Sequence, residues 1–541
     1  MRRSFLLRIE FVEENVMTIV LCSIFLVVFF AVMITVGFVT RKNARDVNGF
    51  VLGGRNVGPW LTAFAFGTSY FSAVIFVGYA GQFGWNFGLA STWAGLGNAL
   101  IGSLLAWRIL GRRTRIMTQS LDSKTMPDYF EKRYGSKAIK IVASIIVFVF
   151  LIPYTASLYN GLSSLFGMVF DIPYWVIIVV MAVLTGIYVV FGGYMATAVN
   201  DFIQGIIMLI GIVAVIAAVL NDNGGILEAS KRLSEIPAEG WTSGAYSSFL
   251  GPDPLSLLFV VLLTSLGTWG LPQMVGKFYA IKSENDIQKG TTISTIFAIV
   301  VAGGCYFLGG FGRLYADKIQ YRDNGAPLFD SIIPSMLSTL PGIIVAIVIV
   351  LVLSASMSTL SSLVLTSSST FTLDVIKPAY KKGLDEKKQV SIMRILLIFF
   401  IAVSAVIAII KDSYPGLTFI AQMMGVSWGA LAGAFLAPFL YGLYWKKTSK
   451  VSVAVCFIWG CSLAIFQFII SMTGIDVSSW GPVLGFVFKS SINSGVVAMV
   501  GGLIIVPLVT LITKKPDKEE MDKMFECFDE KVSVPKKEAL D

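Results

Sequence analysis

Histidine is missing altogether from the 541 residues. That excludes Ser/His/Asp hydrolysis, histidine-ligated zinc or haem, and a histidine proton relay. Charge is scarce: 14% of residues are Asp, Glu, Lys or Arg, against about a quarter in soluble domains. Cysteine is scarce too. Cys22, Cys305, Cys456, Cys461 and Cys527 show no paired spacing, and four of them lie in apolar runs. There a thiol packs as a small hydrophobe, so neither a disulfide nor a metal centre is read from them. No GxxxxGK[ST] phosphate loop exists, which argues against an ATP-driven pump. The longest polar segments, 111–139, 221–249, 313–340 and 514–541, are too short for a kinase or receiver domain. A soluble enzyme, a disordered tail protein and a secreted disulfide scaffold are excluded together. No catalytic constellation is present, and no organic cofactor is implied.

Apolar sequence dominates what remains: 55% of residues are hydrophobic, with 51 Gly and 40 Phe. About 20 apolar residues span a bilayer. Thirteen such runs can be marked, near 17–40, 58–81, 89–110, 140–164, 172–192, 201–220, 250–276, 290–312, 341–373, 391–410, 417–444, 451–473 and 493–513. The fold class expected is an all-α integral membrane protein of about thirteen transmembrane helices, in contact with the lipid bilayer. The net charge of +9 sits in loops rather than in a patch, so no nucleic-acid partner is expected. Alternate loops (41–55, 108–140, 277–289, 377–394, 446–450 and the tail from Lys514) hold 32 of the 42 Lys and Arg. Positive loops stay cytoplasmic. The expectation is a plasma-membrane protein with its N-terminus outside and its C-terminus inside. The first 16 residues are charged and poor as an outer terminus, so Met17 is an alternative start. No cleavable signal peptide is evident.

Two spans carry helix breakers. The second, LTAFAFGTSYFSAVIFVGYAG, has Gly67, Thr68 and Ser69 at mid-membrane; the seventh, VVLLTSLGTWGLPQMVG, has Gly267, Gly270 and Pro272. Glycine weakens a helix, and proline removes a backbone donor and clashes with the preceding turn. The two spans lie five apart. Since five is odd, two such halves insert with opposite orientation, and interrupted helices at matching places of inverted repeats point to a transporter's central site. The alternative is that Gly and Pro are common in membrane helices. The organisation expected is an N-terminal extension (1–16), a first helix and loop (17–57), a first inverted repeat (58–220), an extracellular loop (221–249), a second repeat (250–444), two further helices (445–513) and a cytoplasmic tail (514–541) that dangles or forms a short helix.

The ninth span is crowded with hydroxyls. Ser354, Ser358, Ser361 and Ser362 share one helical face, with Thr359 at its margin. A hard cation such as sodium takes several oxygens; hydroxyls supply some and the free carbonyls of a broken helix supply the rest. Close helix packing is the alternative. Ser358 and Thr359, flanked by Ala355, are the pair favoured for a cation site. Asp201 opens the sixth span, either as an N-cap with Asn200 or as a carboxylate on the cation's inner exit path. Span interiors otherwise offer no Arg or Lys. Candidates for the solute pocket are Ser69, Tyr70, Tyr154, Tyr159, Trp269, Gln273 and Gln422, the last being costly to bury.

At these residues the sequence resembles the sodium/solute symporter family. The motifs are FVLGGRNVGPWLTAFAFGTSYFSA, YVVFGGYMATAVNDFIQG, GLPQMVGKFYAIKS and SASMSTLSS. The resemblance implies a leucine-transporter-type core of ten helices in a five-plus-five inverted repeat, with one helix before and two after. It implies a sodium site of Thr68, Phe71 and Ala355 carbonyls with Ser358 and Thr359 hydroxyls, with Asp201 linked to sodium transport. Tyr70 stands where proline transporters carry Asp, and Val74 and Ile75 stand where sugar transporters carry polar residues. Tyr70 and the GLPQ stretch look more like the pantothenate and monocarboxylate-like branches; an amino acid is the further solute class. The function expected is sodium-coupled solute import. Proton coupling in the same fold, or a membrane sensor, is the alternative.

Overall fold

The computed structural model describes residues 2–170, 172–241, 243–322, 325–380, 383–412 and 420–529, without the side chains of 2–15, 160, 163–164, 168, 411–412 and 420–422. These residues are helical apart from turns, loops and three isolated bridges. Among the described residues, ten helices are long and apolar enough to cross a membrane. Counting the bent pair Pro254–Gly270 and Pro272–Ala280 as a span makes eleven. The chain is a multi-pass membrane protein. Its outer surface carries side chains such as Ile210, Val213, Ile395, Ile398, Ile504 and Leu511, the apolar coat that acyl chains cover.

The helix count falls below the thirteen runs marked from sequence for a physical reason. Val74–Ser120 and Tyr174–Asp222 are continuous over 47 and 49 residues. Each contains a glycine in backbone that only glycine readily adopts: Gly88 at φ 60°, ψ −139°, and Gly193 at φ 55°, ψ −146°. The 193–200 segment, expected as a loop, is helical from Tyr194 onward. Asp201 therefore lies inside a helix and is not an N-cap. Both breaks expected from Gly and Pro are present, at Phe71 and at Leu271.

The Gly342–Phe371 helix is the buried axis. It packs against Tyr174–Asp222, Lys137–Val169, Arg2–Thr40 and Pro59–Tyr70. Around it, small residues let backbones meet; a Cβ on Gly84 would collide with the Gly309 carbonyl. The chain entering the first broken span is tied to the chain leaving the second. Val57 N–H donates to Ala280 O at 3.0 Å, and Lys282 N–H donates to Val57 O at 3.1 Å. At the polar end, Lys518–Phe525 forms a short helix that docks on the body.

Candidate cation and solute site

Pro59–Tyr70 starts on a proline, whose missing N–H costs nothing in the first turn. It stops at Phe71, which is extended at φ −84°, ψ 115°. Winding resumes over Val74–Tyr79 in wide π-turns. Carbonyls at the break are thereby released from the helical ladder and turned toward the Gly342–Phe371 helix. Thr359 Oγ1 lies 3.1 Å from Thr68 O, 3.2 Å from Phe71 O and 3.1 Å from Ala355 O. Ser358 Oγ lies 3.2 Å from Thr68 O and 3.1 Å from Ala355 O. Three carbonyls and two hydroxyls thus converge, all on buried residues. The cluster is short of protons: each hydroxyl has one to donate, and five oxygen–oxygen approaches ask for more. Thr68 Oγ1 beside it has no partner.

The second break has the same grammar. Pro254–Leu266 tightens into a 3₁₀ turn over Gly267–Gly270, Leu271 is extended, and Pro272 starts the next helix. The two halves bend by 48°. This break delivers Lys277 into the interior, 4% exposed, against the sequence expectation of a loop lysine. Its Nζ donates to Ser362 Oγ at 3.0 Å and lies 3.6 Å from Asp201 Oδ2. Ser362 Oγ in turn meets Ser69 Oγ at 2.8 Å. Asp201 is fully buried, and neither of its oxygens has a hydrogen-bond partner.

The solute candidates divide into two groups. Ser69 and Gln273 fall on the Lys277 side. Gln273 lines a cavity of about 50 Å³ with Lys277, Ser362, Thr366 and Ser369, and neither polar atom of its amide is bonded. Tyr70 and Tyr154 fall on the other side. The Tyr154 hydroxyl lies beside Ser72 and the Trp428 indole without closing a hydrogen bond. Tyr70 lies near Tyr306, which neighbours Asn98. Tyr70, Ser72, Asn98, Tyr154, Tyr306 and Trp428 all carry buried polar atoms without partners. Trp269 is buried, its indole N–H donating to Ile101 O at 3.0 Å. The Tyr159 hydroxyl is buried and unpartnered. The side chain of Gln422 lies outside the described residues.

Sequence reasoning missed Lys277, Ser72, Asn98, Tyr306 and Trp428. Asn98 carried a usable signal, being a carboxamide in an apolar run. Trp428 carried none.

Comparison with known proteins points one way. The sodium:solute symporter family model matches residues 50–460. The osmoregulated proline transporter OpuE of Bacillus subtilis is 28% identical over 498 residues, covering 91% of this chain and 94% of that protein. Sodium/proline symporter 2 of Staphylococcus saprophyticus is 27% identical over 450 residues, covering 82% and 85%. A solved Na+-coupled sialic acid symporter, in a substrate-bound outward-open state, matches with a TM-score of 0.71 and 18% identity over 92% of this chain and 99% of that one. That last likeness is one of fold. The extent of the family match, on a chain built of membrane-crossing helices with two interruptions, places this protein in the sodium:solute symporter family.

Proposed function

We propose that the chain imports a small organic solute across the cytoplasmic membrane, driven by sodium bound to Thr68 O, Phe71 O, Ala355 O, Ser358 Oγ and Thr359 Oγ1. The observation that carries this is the convergence of those five buried oxygens at the first break. Hard cations with oxygen ligands at about 2.3–2.6 Å set neighbouring ligands about 3.3–3.7 Å apart. The present 3.1–3.2 Å separations need only a few tenths of an ångström of expansion. Asp201 then serves as an acceptor on the inner exit path. The solute sits among Tyr70, Ser72, Tyr154 and Trp428, with Ser69, Trp269, Gln273 and Gln422 completing the candidate set.

The proposed architecture is thirteen crossings around a five-plus-five inverted repeat, with the N-terminus outside and the C-terminus inside. The sharp glycines Gly88 and Gly193, each splitting one long helix, support that count. The two matching breaks support the repeat. The boundaries 1–16, 17–57, 58–220, 221–249, 250–444, 445–513 and 514–541 follow. Sodium raises solute affinity by favouring the solute-competent conformation. A membrane potential adds about 2.3 kcal/mol per charge per 100 mV.

The test is uptake into proteoliposomes, with L-proline, simple monocarboxylates and pantothenate as the first panel, since the relatives named above are proline transporters. An imposed sodium gradient at fixed pH accelerates uptake of one of these. Uptake that follows a proton gradient and ignores sodium overturns the reading.

A further inference from the structure

The six buried side chains whose polar atoms lack partners, Tyr70, Ser72, Asn98, Tyr154, Tyr306 and Trp428, lie between the two breaks. Tyr70 and Ser72 flank Phe71, whose carbonyl belongs to the five-oxygen cluster. At the second break, a Cβ on Gly267 would meet the Trp428 ring at 3.2 Å. Ser265, just before it in the chain, donates from Oγ to Asn98 Oδ1 at 3.4 Å. Tyr154 joins the two sides: its ring stands edge-on to Trp428 with centroids 6.1 Å apart, and its hydroxyl lies beside Ser72. Donors and acceptors are unevenly shared among the six. The Trp428 indole can only donate, and the hydroxyl beside it is that of Tyr154. The Asn98 carbonyl oxygen is taken by Ser265, so its amide N–H groups are what it offers the Tyr306 hydroxyl. Both tyrosine oxygens are thus offered a proton. That leaves both O–H groups to donate onward, together with those of Tyr70 and Ser72.

We infer that the solute is a small carboxylate without an amino group, that the four hydroxyls of Tyr70, Ser72, Tyr154 and Tyr306 donate to it, and that the bound sodium is its counter-charge. Trp428 and Asn98 are positioning residues that aim the tyrosine protons. This rests on the reading of the five-oxygen cluster as the sodium site. A carboxylate accepts about four hydrogen bonds and donates none. No Asp, Glu, Lys or Arg among the described residues acts on Tyr70, Tyr154 or Tyr306. A buried carboxylate needs an opposite charge, and the cation held through Phe71 O, between Tyr70 and Ser72, is the one at hand. An ammonium only donates; here it would face donors and a neighbouring cation, with no carboxylate to receive it. The inference therefore sets this chain apart from its proline-transporting relatives.

The experiment compares compounds of one shape. Purified full-length protein is melted in sodium chloride and in choline chloride with cyclopentanecarboxylate, its carboxamide, or L-proline, which places an ammonium in the same five-membered ring. Butyrate, butyramide and 2-aminobutyrate repeat the comparison on an open chain, and pantothenate with its alcohol, panthenol, on a longer one. Bound ligand stabilises as ln(1 + [L]/Kd). The carboxylate of at least one set raises the melting temperature in sodium and not in choline, and binds at least about 10-fold more tightly than the other members of its set. Tyr154→Phe and Tyr306→Phe each weaken that carboxylate by about 10-fold or more, while the shift given by sodium alone stays. Asn98→Asp, which takes the Tyr306 proton instead of offering one, does the same. An amide, alcohol or amino acid that binds as well as its carboxylate overturns the inference. So does a carboxylate that stabilises equally in choline, or no response to any carboxylate while sodium alone stabilises. Tyrosine variants with wild-type carboxylate affinity overturn it too; should they fail to fold, the comparison on wild type decides alone. A wild type that sodium does not stabilise at all defeats the sodium-site reading instead.

Discussion

A hydroxyl donates one proton, and Thr359 Oγ1 has three carbonyls within 3.2 Å. Whatever hydrogen bond it forms, two carbonyls face an oxygen lone pair, and a cation removes that conflict. Ser358→Ala and Thr359→Ala should each weaken sodium activation by roughly 5- to 150-fold, equivalent to about 1–3 kcal/mol. Thr359→Ser keeps the oxygen and should remain close to wild type. The measurement is the sodium concentration at which the melting temperature begins to climb, which tracks the dissociation constant. Normal sodium activation in both alanine variants would remove these residues from the site. The hydroxyl pair was legible in the sequence because its side-chain chemistry stood out from apolar neighbours, and the break beside it was written in Gly67. Lys277 was not legible. It lies at the end of an apolar run among loop lysines; Gly270 and Pro272 mark a break before it, but nothing in linear order tells that the chain beyond the break turns Lys277 inward toward Asp201. Asp201 itself was visible as an anomaly, but its cap reading depended on a helix start that the fold puts at another residue.

Elements are joined by backbone geometry as much as by loops. Gly193 interrupts Tyr174–Asp222 at φ 55°, ψ −146°, a region almost closed to residues with a side chain. A Cβ there would also meet Phe50 Cδ2 at 2.9 Å and Phe50 O at 3.0 Å. Gly193→Ala should therefore destabilise the protein by about 1–3 kcal/mol, seen as a lower melting temperature with sodium affinity largely retained. A melting temperature equal to wild type would show that the turn tolerates other backbone conformations. The sequence signalled a boundary here through Gly192 and Gly193, yet hydropathy alone placed a loop over 193–200. Span ends are poorly fixed by composition, because a polar residue such as Asn200 can be buried against Met33 instead of facing water. The two mid-membrane breaks were easier to find. Proline and paired glycines act locally, and tertiary packing used those weak points instead of overriding them.

Across the whole molecule, charge ties the helix ends at one polar face to one another. Arg133 is 1% exposed; it donates to Gly442 O at 2.8 Å and Trp445 O at 2.9 Å, and its guanidinium lies 5.2 Å from the Phe525 ring. Lys446 and Asp522 add an exposed pair. Phe525→Ala should undock the Lys518–Phe525 helix, raising hydrogen exchange over residues 518–529 while the membrane core keeps its protection; unchanged exchange would show that the helix is held by other contacts. A second tie reaches the Gly342–Phe371 helix itself. At its polar end Asp374 accepts from Thr125 Oγ1 at 2.6 Å and lies 3.6 Å from Lys140. Lys140 also reaches Asp128 at 3.0 Å and Glu131 at 2.8 Å. Burial alone would raise the Asp128 carboxyl, but Lys140 and Lys132 outweigh it and hold it below its ordinary value. A carboxylate with a depressed folded value stabilises the protein above its unfolded value of about 3.9, and that contribution fades as pH falls through the folded value. Asp128→Asn should thus cost about 1–3 kcal/mol at neutral pH. The gap in melting temperature between wild type and variant should be widest above about pH 5 and close as the medium is acidified below about pH 4. A gap that stays constant through that window would mean that shape and hydrogen bonding, rather than charge, anchor this end of the Gly342–Phe371 helix.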